Sequence, residues 1–407
     1  MQSGNILYLF LILGLLTGCG SGGSSSSQGS GSGGRTPPST SGNNVMPLTV
    51  NGSLCSNTIF GYPNKPCVSV TICSPGTSTC QTINDVLLDT GSYGLRIFKQ
   101  ALNVPLMQVT TASGSVAECV EYADESADWG PVQMAKLILG NEPAIQVPIQ
   151  VIDSTFGTLP SACGNADQSP ADAGFTGILG VGLLALDCGP TCSSSADNGI
   201  YYACSGSNCQ GTTVALSSQV QNPVALLPQD NNGVIVQLPS VPLNGSLSVD
   251  GSLLLGIGTQ SNNVPSAVTT YPTDEFGNFL TIFNGVTLTS SFIDTGTNAL
   301  YFPSPSASLL PDCGTSAPGW YCPSSTVSLS ATNTGAFGSP SGMVSFQIGN
   351  FISLYLNSSN NVFSDIGGTQ VEGFGFAWGL PFLFGRNVYV GIEGTTSSLG
   401  TGPYWAY

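Results

Sequence analysis

The stretch 85-DVLLDTGSYGLRIF-98 decides how this chain is read. Three apolar residues, Val86 to Leu88, run into Asp89-Thr90-Gly91-Ser92. Taken alone, this is a strand ending in a polar turn, because Asp commonly caps turns through its own backbone. A second stretch, 290-SSFIDTGTNALYFP-303, repeats it. Asp294-Thr295-Gly296-Thr297 matches Asp89-Thr90-Gly91-Ser92, and Leu300 matches Leu95. A single Asp-Thr-Gly is weak evidence in a chain rich in Thr and Gly, whereas two copies with the same approach and exit are a strong signal. Behind each copy, at comparable spacing, lies an apolar run broken by glycine. One is "GFTGILGVGL", with Gly180, and the other is "GFAWGLPFLFGRNVYVGIEG", with Gly379. Glycine inside an apolar strand marks close backbone approach. Each half therefore has the same order, and the chain reads as a duplicated β lobe rather than a short-period solenoid.

Composition agrees with an all-β body. The 407 residues are 41% hydrophobic, enough for a sizeable core, but only 7% charged. There are 53 Gly and 27 Pro, which suits many short strands joined by turns. Helical bundles need more Lys, Glu and Ala. The net charge is −16, with 6 basic residues. No cluster of bases exists to displace phosphate counterions, so nucleic-acid binding is excluded. Histidine is absent. No Ser-His-Asp or Cys-His catalytic pair can form, and no His-ligated zinc site. Acid–base chemistry must come from carboxylates, Tyr, Cys or Lys.

Residues 6–18 are apolar but too few for a permanent membrane span, which needs about 20 residues. They read as the core of a signal peptide. "LTGC", Leu16 to Cys19, resembles the bacterial lipobox, which implies cleavage before Cys19 and a lipid on it. Residues 1–18 are then a lipoprotein signal peptide, although "MQSGN" lacks the usual positive charge. Residues 19–46 are a Gly/Ser-rich disordered tether reaching some ~30 Å. Removing Cys19 leaves twelve cysteines, an even number that implies disulfides in an oxidising compartment. A Cys-only metal site is the less favoured alternative, because "CGPTC" and "CSGSNC" lack the tight Cys-x-x-Cys spacing. Cys188, Cys192, Cys204 and Cys209 are expected to staple one long loop with pairing open. Cys313 and Cys322 are expected to pair with each other.

The two motifs and the strands behind them resemble the pepsin-like aspartic peptidases, over most of residues 47–400. They also resemble a group of uncharacterised bacterial secreted lipoproteins with the same two Asp-Thr-Gly motifs. The resemblance implies a bilobal double β-barrel with pseudo-twofold symmetry and a central cleft, divided here into residues 47–240 and 241–407. It implies that Asp89 and Asp294 form a catalytic dyad that activates a water. Two close carboxylates cannot both ionise comfortably, so they share one proton. Thr90 and Thr295 are then expected to bond across the two loops. Ser92 and Thr297 are expected to bond the outer carboxylate oxygens. Gly91 and Gly296 bring the backbone close to the carboxylates. "CVEYADESADWGPVQMAKLILGN" stands where the family has a β-hairpin flap, with Tyr122 near the flap tyrosine. Trp129 is expected either to line the cleft or to cap the hairpin. The sequence departs from the family at Arg96, where a Trp normally bonds that tyrosine. It departs again at Asp124, Glu125 and Asp128, which are expected to repel acidic substrates, pair with Arg96 or be solvated.

The leading functional expectation is an aspartic endopeptidase acting on peptides or unfolded proteins. It needs no cofactor or metal, works as a monomer and is lipid-anchored in the cell envelope, on the outer membrane. The alternatives are a non-catalytic pepsin-like binding module, or a surface lipoprotein of structural role. The structural role does not account for the paired motifs.

Overall fold

The structure, a computed structural model, describes residues 41–56, 62–356, 358–370 and 375–407. The apolar stretch 6–18, Cys19 and most of the tether lie outside the described residues. Among the described residues no helix is long and apolar enough to cross a membrane. Strand accounts for 43% and helix for 10%, so the chain is all-β, with a six-stranded barrel and a half-barrel. The first strand, Val45–Val50, starts inside the stretch read as tether, and Val45 and Met46 are already buried.

The strands form one sheet of 17, one of 7 and one of 2. Strand Cys80–Asp89 lies antiparallel to Pro66–Cys73 and parallel to Gly177–Val181, where Gly180 faces Asp89. Strand Tyr93–Phe98 returns antiparallel along the same partner, with Gly180 opposite Gly94. The second motif is hung in the same way. Val286–Ile293 runs parallel to Ala377–Trp378, and Leu300–Phe302 runs antiparallel to it. Strands flanked on both sides need continuous apolar runs, which is what "ILGV" and "FAW" supply. A Cβ on Gly180 would lie 2.6 Å from the Tyr93 nitrogen, and one on Gly379 would lie 2.1 Å from the Ala299 oxygen. Both glycines are therefore required by close approach.

The seven-stranded sheet draws only on residues between 279 and 378, but the large sheet uses both ends of the chain. Val249–Leu255 pairs with Val45–Val50, and Arg386–Gly391 pairs with Gly233–Leu238. Asn64 adds a stitch between distant segments. Its amide nitrogen donates to the carbonyls of Asn298 and Phe363, and its side-chain oxygen accepts from the Phe363 N–H. Behind the Asp294 loop, Phe302 stacks on Phe376 at 4.9 Å and Phe376 on Trp378 at 3.9 Å. Offset and edge-on ring packing of this kind adds to the area burial of each ring.

All twelve remaining cysteines pair: 55–67, 73–80, 119–163, 188–192, 204–209 and 313–322. The expected 313–322 bridge is present, and the four cysteines of the long loop form two local bridges. Only Cys119–Cys163 closes a long loop, of 44 residues. It ties hairpin strand Gly114–Glu121 to the turn at Ser161–Cys163. Loop-closure entropy gives it about 4 kcal/mol, against about 2 kcal/mol for the shortest bridge. Replacing Cys119 and Cys163 together by Ala should therefore lower the denaturant midpoint more than replacing Cys188 and Cys192. Equilibrium unfolding of the two double variants checks the order.

Candidate active site

Each Asp-Thr-Gly loop first satisfies its own carboxylate. The Gly91 N–H donates to Asp89 Oδ1 at 2.8 Å, and the Gly296 N–H to Asp294 Oδ1 at 2.8 Å. The outer oxygens take hydroxyls, Ser92 on Asp89 Oδ2 and Thr297 on Asp294 Oδ2 at 2.6 Å. The loops then lock together. The Thr90 N–H donates to Thr295 Oγ1 at 3.1 Å, and the Thr295 N–H donates to Thr90 Oγ1 at 3.0 Å. The Thr295 hydroxyl donates onward to the Leu88 carbonyl at 2.7 Å. The result is that the Gly91 N–H also reaches Asp294 Oδ1, at 3.0 Å. One backbone donor thus serves the inner oxygens of both carboxylates.

The two glycines are required by space, since neither has a positive φ. A Cβ on Gly91 would come within 2.9 Å of the Asp294 carboxyl carbon, and one on Gly296 within 3.0 Å of Asp89 Oδ1. Asp89 and Asp294 are both buried. Burial pushes Asp89 well above the usual carboxylate range, helped by the charge of Asp294 and by a hydrogen bond between the two side chains. Ser92 and Gly91 oppose this without cancelling it. Asp89 in this position retains a proton at a pH where isolated carboxyls have lost theirs. Tyr62, whose hydroxyl donates to the Gly296 carbonyl at 3.5 Å, and Tyr93 stand close by. Burial raises both phenols, and the dyad charges add to it.

The segment expected to form a flap is a β-hairpin. Gly114–Glu121 pairs with Ala127–Ile138, leaving Tyr122–Ser126 as its tip. Tyr122 packs with Tyr62 against Leu87, Phe98, Ile152, Phe175 and Ile178. Its hydroxyl donates to Asp128 Oδ2 at 2.8 Å. Arg96 is fully buried. It donates to the Tyr93 carbonyl at 2.7 Å, to Glu118 at 2.9 Å and to Asp187 at 3.5 Å. Its ion pairs are thus with Glu118 and Asp187, and Tyr122 is held by Asp128 of its own hairpin. Asp124 and Glu125 are exposed at the tip, whereas Asp128 is buried. Trp129 neither lines a cleft nor caps the tip, which corrects both expectations. Its indole N–H donates to the Phe156 carbonyl at 2.7 Å, and its ring meets Tyr202 edge-on beside the Cys119–Cys163 bridge. A polar-tipped ring packs in this way when its one donor finds a carbonyl inside.

Sequence reading missed Glu118, Asp187, Tyr201 and Tyr62. The available signal was weak: a lone acid in the apolar stretch "VAECV" and another in "LALDC". The Tyr201 hydroxyl donates to both Asp187 oxygens at 2.8 Å.

Paired Asp-Thr-Gly loops, hung on matching strands in an all-β body and interlocked through two threonines, define a protein with two buried carboxyl groups set side by side. The chain belongs to the family described as "Protein of unknown function (DUF3443)", whose profile matches residues 40–407. A search of curated proteins gives no match.

Other wholly or partly buried carboxyls share the upward displacement. Burial moves Asp128 and Asp365 to about 6. Burial, with neighbouring acids, moves Asp167 and Glu142 to about 7. Asp153 goes the other way: burial raises it, but the hydrogen bonds from Lys99 and Thr155 and the Lys99 charge together outweigh burial. A carboxyl raised in the fold binds a proton that the unfolded chain has released, so stability falls as pH rises through the interval between the two values. Calorimetry should therefore show a higher melting midpoint near pH 4.5 than near pH 7.5. A flat or inverted profile would contradict this assignment.

Proposed function

We propose that the protein is an aspartic endopeptidase, in which Asp89 and Asp294 activate a water for hydrolysis of a peptide bond. The observation that carries this reading is the Gly91 N–H shared between the two inner carboxylate oxygens, with Asp89 displaced toward its protonated form. A carboxylate in this position takes a proton from water as general base. The protonated partner donates to the scissile carbonyl, and the leaving amine is protonated afterwards. Ser92 and Thr297 favour the ionised form by donating to the outer oxygens, while the shared inner position favours one retained proton. Tyr122 and the 114–138 hairpin are read as the flap.

The finer architecture belongs to the same proposal: two pepsin-like lobes related by a pseudo-twofold axis, with a cleft between them for an extended peptide. The substrate class is a peptide or unfolded protein, and the protein acts as a monomer. With six disulfides and the "LTGC" motif, we place it in the bacterial cell envelope, lipid-anchored through Cys19.

Incubation of the purified protein with an unfolded protein substrate between pH 2 and 7 tests the reading. Cleavage should be favoured in acid and inhibited by a statine-type mimic. It should fall by at least about a thousandfold in Asp89→Asn and Asp294→Asn, since neither carboxyl can substitute for the pair. No cleavage across that range, or cleavage untouched by Asp294→Asn, would overturn it.

A further inference from the structure

Asp128 lies on the return strand of the hairpin with no solvent exposure. One oxygen accepts the Tyr122 hydroxyl, and the other, Oδ1, has no hydrogen-bond partner. In the same buried layer stand Arg96, Glu118 and Asp187, whose side chains are at most 7% exposed. Gln150 links the two hairpin strands there, donating to the carbonyls of Glu118 and Asp128.

The charges in this layer do not balance. Three carboxyl groups, of Glu118, Asp128 and Asp187, surround one cation, Arg96. The unpartnered buried atoms there tell the same story. Three are acceptors, Glu118 Oε2, Asp128 Oδ1 and Gln150 Oε1, and only one is a donor, Arg96 Nε. A buried layer tolerates neither surplus negative charge nor surplus acceptors, and bound protons relieve both. Burial raises Asp187, aided by the charge of Glu118 and a hydrogen bond between these two side chains. Burial also raises Asp128, against Tyr122 and Arg96 and together with Glu118 and Asp124. The other ionisable groups facing the cluster are Tyr201 on Asp187, Asp167 near Asp128, and Asp89 near Tyr122.

We propose that Asp128 is a positioning residue for the flap: carrying its proton, it keeps Tyr122 and the hairpin tip packed down beside the dyad, and on losing it the hairpin opens. The consequence for catalysis rests on the peptidase reading, but the motion does not. In an opened hairpin Asp128 meets water and titrates near the ordinary value of about 3.9. The closed form, with Asp128 at about 6, is thus most favoured below about pH 4 and loses that advantage as pH rises to about 6.

Hydrogen–deuterium exchange on the intact protein from pH 4 to 7, corrected for intrinsic rates, reads this directly. Amides of the tip and the strand ends flanking it, residues 118–130, should lose protection by up to about tenfold per pH unit between pH 4 and 6. Asp128→Asn, neutral and of the same shape, should keep the acid-level protection and remove the slope. Tyr122→Phe should raise tip exchange at pH 4 while strand Ile145–Ile152 stays protected. Asp187→Asn should retain the slope. A flat wild-type profile, a slope that survives Asp128→Asn, or one that vanishes in Asp187→Asn instead would overturn the proposal. The readout needs no substrate, so failure to cleave protein would count against the peptidase reading alone.

Discussion

The structure depends on the interlock of Thr90 with Thr295. Two carboxylates buried side by side repel each other and have lost most of their contact with solvent, a cost of several kcal/mol per ion unless it is offset. The reciprocal threonine bonds fix the two loops in one relative position. Only in that position can the Gly91 N–H serve both inner oxygens. Each outer oxygen then has its own hydroxyl, and the pair can lower its charge by keeping a proton. If the interlock shifted by an ångström, the shared donor would be lost and the repulsion would remain.

The rest of the fold makes that interlock rigid. Each loop is suspended between a strand parallel to its approach and antiparallel to its exit, so neither end can move alone. The glycines of those partner strands allow a spacing that any side chain would widen. The large sheet then gathers strands from both ends of the chain, and Asn64 joins the segment before the first motif to residues just beyond the second. Packed aromatic rings behind the Asp294 loop supply the stiffness that hydrogen bonds alone would not.

A chain with so few charges uses them in unusual places. Arg96, one of only 6 bases, is spent inside, between Glu118 and Asp187. Lys65 is buried on Asp85 at 2.6 Å and also donates to the Gly174 carbonyl. Acids thus outnumber their partners in the interior, and several carboxyls stay protonated to higher pH than usual. Arg96 itself ties the strand leaving the Asp89 loop to the hairpin.

The sequence by itself determined the all-β class, the two motifs and the glycines behind them. It did so because local pattern and exact repetition carry that information without any knowledge of distance. It also determined that Cys313 meets Cys322, as the last two cysteines of the chain. What it left open turned on contacts between residues far apart. Trp129 could be assigned to a cleft or to a hairpin tip, and only packing against Phe156 and Tyr202 put it inside. Asp128 read as one of three tip acids, yet it stands at the start of the return strand, where residues 127–132 are buried on both faces, while Asp124 and Glu125 stayed in water. Glu118 and Asp187 gave almost no signal, because a lone acid in an apolar run looks the same whether it faces solvent or a buried arginine. The tertiary structure decided these points, since a charge acquires its role from what the fold sets opposite it.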